Sequence, residues 1–138
     1  MVNPYNNTLI FGKIPEIYHG RDYFPSGDIY LRYGEHKGIN RGFGVAHIWQ
    51  AHQKELLQLG YTEEIHVSHF VASIIQVGTP LFCEFNDVRG KHRVTVLKSS
   101  RGIAILEQKS NATNETFYSV VTAFTRNKAY GIQIGVSC

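Results

Sequence analysis

The chain has 138 residues, 43% hydrophobic and 18% charged, with a net charge of +3 when histidine is neutral. That balance suits one globular domain with its own core and excludes a disordered tail. No apolar run reaches the ~20 residues of a membrane helix, and the mild basicity admits an anionic partner without demanding one.

The opening, MVNPYNNTLIFGK, lacks a basic leader followed by an apolar stretch, so no signal peptide is expected. Residues 1–27 read as an irregular arm rich in Asn, Gly, Pro and Tyr, with one short strand at Leu9–Phe11. Asp28–Arg32 reads as a strand that leads into a basic, glycine-rich loop, YGEHKGINRGFG. Residues 1–42 are thus a lead-in.

Val45–Leu59 is predicted helical, because Val45, Ile48, Trp49, Leu56 and Leu59 fall on one stripe and Gly60 stops it. A second helix is predicted over Ser68–Val77, capped by Ser68, with Phe70, Val71, Ile74 and Ile75 as its stripe and Gly78 and Pro80 beyond its end. Strands follow at Leu81–Phe85, His92–Lys98, Ile103–Gln108, Phe117–Phe124 and Tyr130–Val136. A polar turn, Asn86–Gly90, separates the first two. Residues 43–138 therefore read as helices followed by an antiparallel meander. The fold class is α+β, with N-terminal helices packed on a twisted antiparallel β-sheet, in a single domain over 1–138.

Cys83 and Cys138 lie too far apart for a zinc motif. Cys83 sits in an apolar run and reads as a buried thiol. No metal or other cofactor is expected.

The densest polar signal is His36–His52, HKGINRGFGVAHIWQAH. Its glycines would bring backbone N–H groups, Lys37 and Arg41 to a helix start, where phosphate is attracted. Their spacing matches neither a Walker nor a dinucleotide fingerprint, and a plain connector has the same composition. His47, off the centre of the apolar stripe and beside this loop, is the leading general acid or base. The positive helix end would keep it neutral. His52 continues the Ile48–Leu56 stripe and suits a packed core residue or a substrate contact. The two are five residues apart, not the four of a helical zinc pair. His36, in the basic loop, is a further catalytic candidate. His66 and His69 suit a capping or solvated role.

Arg93, Lys98 and Arg101 place cations near one hairpin, as phosphate ligands or as a solvated basic surface. Tyr118, Val120, Thr122 and Phe124 share a strand face by the period of two, which would aim the Thr122 hydroxyl at a phosphate oxygen or leave it an ordinary strand former. Cutting RNA needs a base for the 2′-hydroxyl, an acid for the leaving 5′-oxygen and donors for the charged phosphorane. His with His or Lys, surrounded by Arg and Thr, supplies that set.

The succession GFGVAHIWQAHQKEL, HFVASIIQVG, RVTVLKSSRGIAILE and FYSVVTAFTRNK resembles the barnase–EndoU–colicin–RelE group of ribonucleases, over roughly residues 43–128. It is most similar to the branch found in contact-dependent growth inhibition toxins. His47-Ile48 and His52 match the helical signature of that branch, and Val121-Thr122-Ala123-Phe124 its late strand. The resemblance implies RNA, commonly tRNA, cut without metal in a cleft between helices and sheet. It implies His47 as base or acid, Lys98 or Arg93 as the phosphate cation and Thr122 as a phosphate ligand. It further implies delivery to a target-cell cytoplasm as the C-terminal piece of a larger secreted or surface protein, and a cognate immunity protein. Some members also enlist an elongation factor. Two other readings stay open from the residues alone: a non-catalytic RNA- or protein-binding module, and an enzyme acting on small anionic substrates through the Gly loop.

Overall fold

A computed structural model of the chain describes residues 1–39, 41–85 and 93–138. The expected turn Asn86–Gly90 and the start of a strand at His92 lie outside the described residues. The class is α+β, but the helices are not N-terminal. Six short strands come first: β1 (Ile10–Ile14), β2 (Ile17–His19), β3 (Asp22–Phe24), β4 (Gly27–Tyr30), β5 (Glu35–Gly38) and β6 (Arg41–Phe43). Then follow α1 (Gly44–Gln58), α2 (Val67–Ile74), β7 (Pro80–Cys83), β8 (Val94–Lys98), β9 (Gly102–Ser110), β10 (Thr116–Phe124) and β11 (Ile132–Val136). The early strands are three to five residues long. β1 and β4 overlap the strands expected at Leu9–Phe11 and Asp28–Arg32, whereas the other four are too short for an alternating pattern to stand out among the Gly and Pro around them.

Seven strands form one sheet in the order β1-β4-β10-β9-β8-β7-β11. The run β7–β10 is the expected antiparallel meander. The last strand does not extend it. The side of β10 away from β9 is taken by β4, which runs parallel to it over Phe117–Ser119, and β11 returns to the far edge beside β7. β2–β3 and β5–β6 are separate hairpins, so the predicted basic loop is a two-stranded ribbon.

One face of the sheet carries the core. Ile29, Val94, Val96, Ala104, Leu106, Tyr118, Val120 and Ala123 belong to one core cluster with residues of α2, whose Phe70, Val71 and Ile74 are fully buried. Burying one such side chain is worth about 1.5–3 kcal/mol. By the period of two, Asp28, Tyr30, Arg93, Thr95, Ile105, Glu107, Lys109, Phe117 and Ser119 belong to the opposite, open face. A bulge between Val120 and Thr122 changes the alternation of β10. Tyr118 and Val120 therefore point into the core, whereas Thr122 pairs with Ile105 and Phe124 with Ile103 on the open side. The single face expected for these four residues is split by that extra residue.

α1 begins where the chain doubles back on β4. Phe43 is extended, and Gly44 takes φ +79°, where a Cβ would strike the Arg32 carbonyl oxygen. The next two N–H groups donate to that strand's exit: Val45 to Arg32 O at 3.0 Å and Ala46 to Tyr33 O at 2.8 Å. Farther on, α1 packs beside the part of β10 that β4 leaves unpaired. The His52 ring stacks on Phe124 (centroids 4.9 Å apart), and the Glu55 carboxylate accepts the Thr125 N–H at 2.7 Å. The backbone leaves helical geometry at His52 (φ −127°, ψ 17°). Before α2, His66 Nδ1 accepts the N–H groups of Thr62 and Glu63, the capping role expected of it. Among the described residues no helix is long and apolar enough to cross a membrane.

Gly44→Ala combines a left-handed backbone with a collision against main chain. It should lower the unfolding free energy by about 2 kcal/mol, read as a drop in urea midpoint with an unchanged m-value.

Candidate active site

The β5–β6 ribbon folds over the first turn of α1 and brings two histidines together. His36 Nδ1 lies 3.0 Å from His47 Nδ1, with the rings stacked 29° from parallel. Gly42 makes room for this contact: a Cβ there would lie 3.0 Å from His47 Nδ1 and press into the Glu35 carbonyl. Its φ of +136° also favours glycine. A neutral imidazole carries one N–H. With both rings neutral, an Nδ1–Nδ1 hydrogen bond fixes opposite tautomers. The donor ring then has a bare Nε2, a base, and the acceptor ring has a protonated Nε2, which can act as an acid as its Nδ1 takes up the shared proton.

His47 is 5% exposed. Burial, then the charge of His36, then that of His52, hold its pKa below 6.5. The leading cause is thus desolvation, not the helix end on which its expected neutrality rested. The helix start is also closed as a phosphate cradle, since Arg32 O and Tyr33 O already occupy the Val45 and Ala46 N–H groups.

Gly42 and Phe43 form the rim of a cavity of about 200 Å³ on the open face of the sheet. Arg32, Arg93, Lys109, Glu107 and Ser119 line it. Arg32 Nε donates to Ser119 Oγ at 2.8 Å, and its guanidinium lies 4.3 Å from the Phe43 ring centroid. Arg93 Nη2 and Lys109 Nζ both bind the Glu107 carboxylate, at 3.0 and 2.8 Å. Among the described residues that line it, three cations face one carboxylate, a balance suited to a phosphate. Two buried polar atoms among the described residues lack a hydrogen-bond partner, Arg93 Nε and Thr122 Oγ1. Such atoms cost free energy unless something satisfies them. Arg93 also borders a second cavity of about 300 Å³, with Thr95, Ile105, Phe124, Arg126 and Tyr130. There the Arg126 guanidinium stacks 4.0 Å from the Tyr130 ring centroid.

The candidates from sequence divide. His36 and His47 are in contact, and Arg93 lies in the cavity whose rim they adjoin. His52 is half-buried against Phe124 at the edge of the second cavity, its pKa lowered by burial and opposed by Glu55. Lys98 is elsewhere. It sits at the other end of β8, about 17 Å along the strand from Arg93, and its ammonium binds Gln76 Oε1 at 2.9 Å. Arg101 is in the turn beside it, its N–H donating to Lys98 O. Four residues of extended strand, Val94 to Leu97, separate cations that the sequence placed near one hairpin. Tyr118 is a core residue: its hydroxyl donates to Pro25 O at 2.7 Å, and burial pushes its pKa to about 12. Lys37 is exposed and paired with Glu35 at 3.3 Å, and Arg41 is exposed at the start of β6. Arg32, Glu107, Lys109 and Ser119 were not singled out from sequence. Their signal was the alternation in DIYLR and IAILEQKS, readable once β9 is carried to Ser110.

No family model, no curated protein and no solved structure matches this chain.

Folding lowers the proton affinity of His47, so the unfolded chain binds that proton first as pH falls. Stability should be level above about pH 6.5 and decline below it. His47→Asn should flatten that decline, leaving a smaller slope from His52, as read by urea unfolding between about pH 7.5 and about pH 5.5.

Proposed function

We propose that this chain is a metal-independent RNA endonuclease acting by 2′-hydroxyl transesterification. The observation that carries the reading is the Nδ1–Nδ1 contact of His36 and His47 against Gly42, a residue that lines a cationic cavity. The bare Nε2 of one ring takes the 2′-hydroxyl proton, and O2′ attacks phosphorus. The P–O5′ bond breaks, the Nδ1 proton of the first ring crosses the Nδ1–Nδ1 hydrogen bond, and the second ring releases its Nε2 proton to the leaving 5′-oxygen, so that both rings end neutral with their tautomers exchanged. The products are a 2′,3′-cyclic phosphate and a free 5′-hydroxyl. Arg32, Arg93 and Lys109 stabilise the charge that builds on the phosphorane, and Arg93 Nε, without a partner among the described residues, is a further donor.

The toxin role rests on the sequence resemblance over residues 43–128. On that reading the substrate is tRNA and the domain is delivered to a target-cell cytoplasm as part of a larger protein. A cognate immunity protein holds it in check, and an elongation factor is a further partner in some members. A second reading, a non-catalytic RNA-binding module, is favoured by the 5% exposure of His47, which suits a packed structural ring.

Total tRNA incubated with the protein in EDTA distinguishes the two. The enzyme reading expects discrete fragments ending in 2′,3′-cyclic phosphate, with His47→Gln and His36→Gln each slowing cleavage by about 10²–10⁴-fold while the circular dichroism spectrum is kept. Intact tRNA, or unchanged cleavage by His47→Gln, contradicts it.

A further inference from the structure

A cavity of about 410 Å³ opens on the same face of the sheet, beside the cationic one. It lies between Tyr30, Phe117, Leu9, Asn111, Asp28 and Glu115. Arg32 lines both cavities. The register explains why they adjoin. Phe117 pairs with Asp28 and Ser119 with Tyr30, while Ile29 and Tyr118 between them enter the core. Asp28, Tyr30, Phe117 and Ser119 therefore all project to the open side, and Arg32, bound to Ser119 Oγ, bridges the two spaces. Tyr30 and Phe117 meet edge to face, centroids 5.9 Å apart and planes at 72°, as the aromatic floor of the cavity. On the other flank Arg93 joins the cationic cavity to the one holding Tyr130 and Phe124. From β4 to β8 the track crosses three interstrand spacings, about 14 Å.

We infer that the Tyr30–Phe117 cavity is a nucleobase subsite for single-stranded RNA, seating the base next to the phosphate held at Arg32. This rests on the reading of the cationic cavity as a phosphodiester site. Three features select a base. Aromatic side chains offer π-surface to any unpaired base. The carboxylates of Asp28 and Glu115 accept N–H groups from a base edge, and the Met1 ammonium at the same cavity is engaged by the Leu31 carbonyl. The shared guanidinium fixes the order, phosphate at the centre and base at the flank. A base paired and stacked within a duplex keeps both faces covered and cannot enter, so the strand bound here is unpaired.

The test uses a fluorescent, uncleavable 2′-O-methyl oligoribonucleotide of about ten nucleotides and its pre-formed duplex, read by anisotropy with the full chain. The single strand should bind at least tenfold more tightly than the duplex. Tyr30→Ala and Phe117→Ala should each weaken single-strand binding about fivefold to a hundredfold, and Tyr30→Phe should retain it. Because Phe117→Ala could loosen the sheet, Phe117→Leu serves as a second variant, expected to bind several-fold more weakly with an unchanged urea midpoint. Equal binding of duplex and single strand, wild-type binding by both Tyr30→Ala and Phe117→Leu, or no binding of any oligonucleotide overturns the inference. Binding through Tyr30 and Phe117 without cleavage of ordinary RNA would contradict only the enzyme reading. Cleavage indifferent to both residues would contradict only the base subsite.

Discussion

The docking of the first turn of α1 onto the exit of β4 is the constraint on which the rest depends. Two backbone N–H groups, from Val45 and Ala46, are satisfied by the carbonyls of Arg32 and Tyr33. An unpaired buried amide costs about 1–3 kcal/mol, so this junction is held tightly, and Gly44 lets the backbones approach. Its consequences run in two directions. Arg32 is left pointing to the open face, where Ser119 holds it, and His47 is left under the β5–β6 ribbon, where only a glycine at position 42 lets His36 reach it. The imidazole pair thus adjoins Gly42, and the arginine lies over Phe43, the next residue of β6.

The parallel pairing of β4 with β10 sets where the open face acquires its charge. Had β10 been an edge strand, Arg32 and Tyr30 would have no place beside Ser119 and Phe117. The bulge in β10 does the complementary work, turning Thr122 and Phe124 to the open side without disturbing Ala123 in the core. The result is a face with cations at its centre, aromatic rings at its flanks and a histidine pair at one rim. The core occupies the other face. The separation matches a division of labour in which burial on one side stabilises a rigid platform and the polar groups on the other need not be compensated internally.

What sequence made legible followed the strength of each local pattern. Both helices and the four-strand meander were readable because their apolar periods run over eight or more residues or recur between turns. Of the six early strands, β1 and β4 were legible in part, at Leu9–Phe11 and Asp28–Arg32; β2, β3, β5 and β6 were not, since three or four residues carry too little periodicity, and a parallel partner 89 residues away leaves no local trace. For the site, His47 was legible from its position near the helix start. The bond to His36 was not, because it depends on a ribbon that the glycine-rich loop concealed. Lys98 and Arg93 looked equivalent by spacing on one strand, yet the strand carries them to opposite ends. Tyr118 and Thr122 shared one face by alternation, while the bulge between them leaves Tyr118 in the core and turns Thr122 to the open side.

The account stands on two neutral imidazoles joined through Nδ1 and therefore held in opposite tautomers. Long-range ¹H–¹⁵N correlation spectra of the histidine rings near neutral pH test this directly. The account predicts one of His36 and His47 protonated at Nδ1 and the other at Nε2, with His36→Gln altering the ¹⁵N shifts of the His47 ring. Both rings in the same Nε2–H form, or a His47 spectrum indifferent to that substitution, would contradict it.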